Sequence, residues 1–485
     1  MFCPICDISC IQWTILKNRD KLPFVNKILY GMGGLGYNSL TQTLGSFIMF
    51  FGTSVMGISG TLVGLAIGVA SLWDGVSDPL VGNLSDKHKN RFFGKRLGFI
   101  LMAVFLIAFC NILLWSMPKM SEFGMFLWLF VFLILLETAN TFFSTPFSAL
   151  AIDLAPEYNE QTKLQSFKTS FNIVGMILPS ILMYFFMPSI SIGVQTAYSQ
   201  EGFVNIAYIN SALVIVFGLI CVFGNLRRVQ KFHYSIEDGK KKSLKELFGG
   251  YGRVFKKKRF ACIILGYSIA QLASCFLTSV GMHLFTYCYH FSSSQIAVLL
   301  ICMFGGAIIS QPIWLALAKA IDKKGALITA LCTLLFAIGL TLVTFIFRSY
   351  LQNSILFIFV GLTIMLCGFG TGALYSLPIS MYADAISLEQ HETGENNSGS
   401  YLGYYSFTYN LSNSISLFVM GVLLDFIKFD PTLPVQAMSV QNGLGEIVFC
   451  GCSIAISIAI VIFSKYNVKR ADVLKAQLAL KEKEQ

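Results

Sequence analysis

The strongest constraint on this chain is a repeated one: apolar runs of about 20 residues recur along its 485 residues. Wound as an α-helix, each run is long enough to cross the ~30 Å hydrocarbon layer of a bilayer. Backbone amides find no water in lipid, so such runs must cross as helices that satisfy their own hydrogen bonds. Composition agrees, with 55% hydrophobic and only 12% charged residues, against about 25% charged in soluble domains. The mean hydropathy is +0.68. The length alone would allow three soluble domains, but here length counts crossings.

The runs fall near 25–51, 58–84, 97–117, 124–150, 165–188 and 203–226, then 260–288, 294–318, 326–347, 354–380, 400–426 and 443–464. Twelve crossings put both ends on one side. Counted to the nearer side, 32 of the 35 Lys and Arg lie on the side of the termini, which predicts cytoplasmic termini. The net charge of +10 is therefore a topology signal and does not point to nucleic acid. The division expected is a cytoplasmic N-terminal segment 1–24, a six-helix half 25–226, a basic cytoplasmic linker 227–259, a second half 260–464 and a cytoplasmic tail 465–485. The linker carries Lys240, Lys241 and Lys242. No cleavable leader is legible, so the first span directs insertion.

The halves echo each other. Gly82, Asp86, Arg91 and Gly94 between spans 2 and 3 are answered by Asp322, Lys323, Lys324 and Gly325 between spans 8 and 9. Pro146 and Asp153 closing span 4 are answered by Pro378 and Asp384 closing span 10. Paired halves of this kind suit a rocking carrier with its site at the interface. The Gly82-x-x-x-Asp86-x-x-x-x-Arg91 loop resembles the signature of the major facilitator superfamily. Physically it is a latch, because Asp86 can face a helix N-terminus or a basic partner in one conformation and lose it in the other. The fold class expected is an all-α polytopic membrane protein of twelve transmembrane helices in two pseudo-symmetric halves.

Span 2 reads Ser71-Leu-Trp73-Asp74-Gly-Val-Ser77-Asp78-Pro79. Its two carboxylates stand at i and i+4, on one face of a helix inside the bilayer. Each ionised carboxylate there costs about 2.5–3.5 kcal/mol, and two neighbours cost more unless a cation or proton lies between them. Span 4 places Glu137, Thr141, Ser144 and Ser148 on one stripe, with oxygen atoms for a hard cation or a polar solute. Helix packing is the alternative use of such small residues, although it leaves Glu137 unexplained. Spans 7 and 11 are aromatic and polar, with Tyr267, His283, Tyr287 and Tyr289 in one and Tyr401, Tyr404, Tyr405 and Tyr409 in the other. Such rings either stack on a solute or form interfacial belts, and His283 reads as an interior histidine.

Tyr30-Gly-x-Gly33, Trp73-Asp74-x-x-x-Asp78-Pro79, Pro146-Phe-x-Ala-Leu150 and Ala383-Asp384 together resemble the glycoside-pentoside-hexuronide:cation symporters, of which the bacterial melibiose carrier is one. The resemblance runs from about residue 26 to about residue 465. It implies that Asp74, Ser77, Asp78 and Thr141 line a coupling-cation site for sodium or a proton, with no other cofactor. The sugar site departs from the family. Asn38 and Ser144 stand where the melibiose carrier has acidic residues, Ser148 replaces its tryptophan, Asn410 its span 11 lysine, and Lys168 its arginine. Substrate contacts are expected from Asn38, Gln42, Glu137, Asn140, Ser144, Ser148 and Lys168 on one side and Asn410 and Asn413 on the other.

The function expected is cation-coupled symport of a glycoside or another small organic solute across the plasma membrane, by a chain acting as a monomer. A carrier of amphiphiles is the rival, since animal lysolipid carriers share the Trp-Asp-x-x-x-Asp-Pro and Pro-x-x-Ala-Leu patterns and an acidic residue like Glu137. A membrane enzyme is disfavoured because no His-Glu-x-x-His, nucleophile elbow or phosphate loop occurs. A non-transporting sensor would normally append a soluble domain. Of thirteen cysteines, most sit in apolar runs as small hydrophobes. Cys3, Cys6 and Cys10 lack a fourth metal ligand nearby.

Overall fold

The structure is a computed structural model, and it describes residues 22–87, 92–154, 158–187, 190–192, 195–197, 199–232, 256–393, 398–430, 433, 435–468 and isolated positions from 470 to 479. Cys3, Cys6, Cys10, Arg91, Lys240, Lys241 and Lys242 lie outside the described residues, as do the side chains of Asp86 and Asp153.

Twelve crossings are present among the described residues. The first six are α1 (Phe24–Phe50), α2 (Gly60–Lys87), α3 (Leu97–Trp115), α4 (Glu122–Leu154), α5 (Tyr158–Phe186) and α6 (Gln200–Phe232). The seventh is α7 (Lys258–Ser279) continued by α8 (Gly281–Tyr287). The eighth and ninth share α9 (Ser293–Ile346), which bends at Ile321 and Asp322. The tenth is α10 (Asn353–Gly372) followed by α11 (Leu377–Thr393), and the last two are α12 (Ser398–Phe426) and α13 (Met438–Ser464). One small addition to the helical plan is a hairpin between α5 and α6, with β1 (Ile190–Ile192) antiparallel to β2 (Gln195–Ala197).

Local chemistry sets these boundaries. Ser292 and Gln295 form a capping box that starts α9, each side chain bonding the other's backbone amide. At the bend in α9, Asp322 takes φ of 73° and ψ of 155°, a strained backbone region that glycine alone adopts readily. Its carboxylate accepts from the Lys323 amide at 2.6 Å. Among the described residues, ten stretches are long and apolar enough to cross a membrane. One of them is α9, which crosses twice, and α1 is the twelfth crossing although its polarity keeps it out of the ten.

The polarity of α1 has a packing cause. Gly31, Gly33, Gly34 and Gly36 are buried, letting α5 and α6 approach closely. A Cβ on Gly36 would meet the Leu213 carbonyl oxygen at 2.7 Å. Alongside, Ser39 donates to Asn210 Oδ1 at 2.7 Å and Asn210 donates to Thr43 Oγ1 at 2.8 Å, so the buried polar groups of α1 and α6 satisfy one another.

We call the face bearing the described chain ends the terminal face, and the opposite one the distal face. At the terminal face, Glu160 binds Lys27 at 2.6 Å and Lys163 at 2.8 Å, and Arg259 holds Glu389 and Glu392. Lys323 holds Asp384 at 2.5 Å, giving that expected latch residue of the second half a basic partner. Gly82 and Gly94 lie in the corresponding first-half segment, Gly94 at φ of 66°.

Candidate functional site

The two carboxylates of span 2 sit about halfway along α2, and the structure gives them different partners. Asp74 Oδ1 accepts from Thr141 Oγ1 at 2.9 Å, and Asp74 Oδ2 accepts from Asn410 Nδ2 at 3.1 Å. Ser77 Oγ lies 2.8 Å from Thr141 Oγ1 and 3.1 Å from the Asp74 carbonyl oxygen. Asp74, Ser77 and Thr141 thus converge as the sequence led us to expect, and Asn410 joins them from the other half. Asp78, one turn on, instead accepts from Thr145 Oγ1 at 2.9 Å. Thr145 was not singled out from the sequence, although its place one turn after Thr141 on α4 was a usable signal.

Glu137 is close enough to Asp74 and Asp78 for their charges to interact. Its Oε2 accepts from Asn140 Nδ2 at 3.2 Å, and its carbonyl accepts from Thr141 at 3.0 Å. Asn140 is 1% exposed, and its Oδ1 has no partner among the described residues. Trp73 Nε1 donates to Thr138 Oγ1 at 2.8 Å, pinning α2 to α4 beside the carboxylates. Among the described residues, no group of three His, Cys, Asp or Glu is arranged to hold a metal ion. The donors gathered around Asp74 are hydroxyl, amide and carboxylate groups, whose oxygens are those of a hard-cation site.

The expected substrate residues divide. Asn38 Nδ2 donates to the Asn172 carbonyl of α5 at 2.6 Å and so joins two helices, whereas Gln42 Nε2 donates to Ser46 Oγ at 3.0 Å, one turn on within α1. Lys168 Nζ donates to Ser148 Oγ at 3.0 Å and lies 4.9 Å from the centre of the Phe147 ring. Ser144 and Asn413 are half-buried and make no hydrogen bond among the described residues. Across α7 and α12, Tyr267 stacks on Tyr405 at 5.3 Å and on Tyr409 at 5.8 Å between ring centroids.

Contacts between the halves favour one face. Thr53 Oγ1 lies 2.8 Å from His283 Nε2, Ser293 Oγ donates to the Met187 carbonyl at 2.6 Å, and Asp425 accepts from the Gly60 and Thr61 amides. His283 is fully buried, as read from the sequence, but it joins the halves and does not sit in one core. These bonds gather at the distal face and reach inward as far as Asp74 and Asn410. The molecule is closed at its distal face.

Comparison with known proteins fits this architecture. The model of the family described as MFS/sugar transport protein matches residues 29–470. The chain belongs to that family. Within it, the chain is 24% identical to an uncharacterized symporter of Synechocystis over 87% of its own length and 89% of that protein's. It is 23% identical to the sodium-dependent lysophosphatidylcholine symporter 1 of Homo sapiens, covering 96% and 90% of the two chains. Among solved structures, a bacterial homologue of the human lysosomal transporter Spinster, inward-facing and unoccupied, superposes with TM-score 0.62 at 13% identity over 94% of this chain and 96% of that one. A D-xylose–proton symporter gives 0.61 at 12% identity over 92% and 98%. As a member of the MFS/sugar transport family the chain is a multi-pass membrane transporter and not an enzyme. The family and its symporters also support the cation-coupled symport expected from the sequence.

Proposed function

We propose that this transporter couples entry of sodium at Asp74 to movement of an amphiphilic organic solute between its two halves. The observation that carries the reading is the meeting of Asp74 with Thr141, Ser77 and the cross-half Asn410 in mid-membrane. Asp74 supplies the charge, Thr141 and Ser77 supply neutral oxygens, and Asp78 and Glu137 keep the neighbourhood negative. An ion that takes both Asp74 oxygens must displace the Asn410 amide. Occupancy of the first half then weakens its grip on the second, which is differential binding to two states.

Glycoside transport is the second reading, in the melibiose-carrier manner. We favour the amphiphile because Asn38 and Ser144 stand where that carrier's carboxylates would accept sugar hydroxyls, and Asn38 already bonds α5. The likeness to sodium-dependent lysophosphatidylcholine symporters over nearly the whole chain supports the same choice. The solute lies against Glu137, Asn140, Ser144, Ser148 and Lys168 in the first half and Asn410 and Asn413 in the second. The protein works as a monomer in the plasma membrane with cytoplasmic termini, a reading supported by the charge count along the sequence. Latch action of Asp86 and Arg91 remains part of this proposal by symmetry with Lys323 and Asp384.

Thermal melts of the purified protein test the proposal. Sodium, compared with choline at equal ionic strength, should raise Tm, and a zwitterionic lysolipid should raise it further only when sodium is present. A rise with melibiose or raffinose in place of lysolipid selects the glycoside reading. Equal melts in sodium and choline would remove sodium from the scheme.

A further inference from the structure

We propose that the seam between α2 and α12 is the distal gate, and that Asp425 is its catch. Asp425 is a positioning residue: it holds the closed state without contacting the cation or the solute. The inference rests on the chain being a carrier, and stands whichever ion or solute is carried.

The seam runs antiparallel in steps of about one helical turn. At the distal end, Asp425 Oδ1 accepts from the Gly60 amide at 2.7 Å and Oδ2 accepts from the Thr61 amide at 2.8 Å. These amides open α2 and have no intrahelical partner. A carboxylate from the opposite half therefore caps α2 where its dipole is positive, the strongest place for a carboxylate to act. Next, a Cβ on Gly421 would stand 1.9 Å from the Gly60 carbonyl oxygen, and one on Gly64 would stand 2.7 Å from the Leu417 carbonyl oxygen. The clashing atoms are backbone and cannot turn aside, so only glycine permits this approach. Ser414 Oγ then donates to the Gly68 carbonyl at 2.5 Å, and Asn410 donates to Asp74.

This register gives the seam a mechanical meaning. Its inner end is the candidate cation ligand Asp74, and its outer end is a charge-assisted cap about 20 Å away along α2. Alternating access requires the halves to part at the distal face, and parting breaks the Asp425 cap and separates Gly60 from Gly421. Asp425 borders a hollow of about 360 Å³, shared with Thr53, Ser59 and Glu122. Water can therefore solvate both the carboxylate and the freed amides when the seam opens. The cap is a reversible catch, because both states satisfy its polar groups.

The test measures the gate directly. Spin labels at Met120 and Tyr350, exposed at the distal face on opposite halves, report its width by pulsed dipolar spectroscopy without added sodium or solute. Asp425→Ala and Gly421→Ala should each enlarge the long-distance population, about fivefold for Asp425→Ala, the factor one lost helix cap is worth. Asp425→Glu should stay closer to the parent. A second arm does not depend on those variants folding well. Oxidation of a Thr61→Cys/Asp425→Cys pair should lower uptake at least tenfold and reduction should restore it, with the two single cysteine variants as controls. Parent-like distances in both Asp425→Ala and Gly421→Ala would overturn the proposal, as would undiminished uptake by the crosslinked pair. Because the distance arm uses neither ion nor solute, a wrong cation site would leave its result untouched.

Discussion

At the residue scale, identical side chains acquire different work from their neighbours. Asp74 and Asp78 are both carboxylates on one face of α2, yet Asp74 accepts hydrogen bonds from Thr141 and Asn410 while Asp78, among the described residues, accepts one from Thr145. Asp74→Asn should therefore abolish the sodium-dependent rise in Tm, which is about 2.7 kcal/mol of stabilisation when sodium is 100-fold above its Kd. Asp78→Asn should weaken that rise without removing it. Calorimetric titration with sodium checks both, and full sodium binding by Asp74→Asn refutes the assignment. The amides divide in the same way. Asn38→Leu removes a bond to the α5 backbone and should cost stability of about 0.6 kcal/mol, the mean for such pairs in membranes, while solute affinity changes little. Ser144→Ala and Asn413→Ala remove groups without partners among the described residues, so they should lower solute affinity and leave Tm nearly fixed. Paired melting and binding curves distinguish these outcomes.

At the element scale, helix position is decided by where side chains are missing. The glycines of α1 let α5 and α6 close on it, and the Cβ of an alanine at position 36 would press on the Leu213 carbonyl at 2.7 Å. Backbone atoms on a packed helix yield little, so Gly36→Ala should cost about 1–3 kcal/mol, the usual penalty for overpacking. Gly45 has open space around its Cβ position, and Gly45→Ala should be neutral or mildly stabilising through helix propensity. Denaturation midpoints in a fixed detergent measure the contrast, and equal midpoints would remove the packing explanation. The same logic makes α9 two crossings in one element. Asp322 at φ of 73° turns the chain without releasing it.

At the scale of the whole molecule, charge at the terminal face ties α1 to α5. The Glu160 carboxylate accepts first from Lys163, then from Lys27 and the Leu22 amide, and this holds its pKa down at about 2, against an ordinary 4.5. A depressed carboxylate contributes stability that is fully present above the ordinary value and is lost as pH falls through the folded one. Stability should therefore decline between about pH 4.5 and pH 2. Glu160→Gln should be less stable at neutral pH and should flatten that part of the acid limb, as melts across the range will show. Much of the molecule was legible in the sequence. Periodic apolar runs fixed the number of crossings, because lipid leaves the backbone no alternative to helix, and the cost of a charge in lipid singled out Asp74, Asp78 and Glu137. Helical spacing also put Asp74 and Ser77 side by side, since periodicity is a property of neighbours along the chain, whereas Thr141, on another helix, joined them in the sequence reading only through the resemblance to the cation symporters. What only the tertiary structure decided was every pairing between distant helices: Asn410 on Asp74, Thr145 on Asp78, Asn38 on α5, His283 across the halves and Asp425 on the start of α2. Those partners lie up to several hundred residues apart, and their meeting depends on glycine contacts and helix tilts that no local pattern encodes.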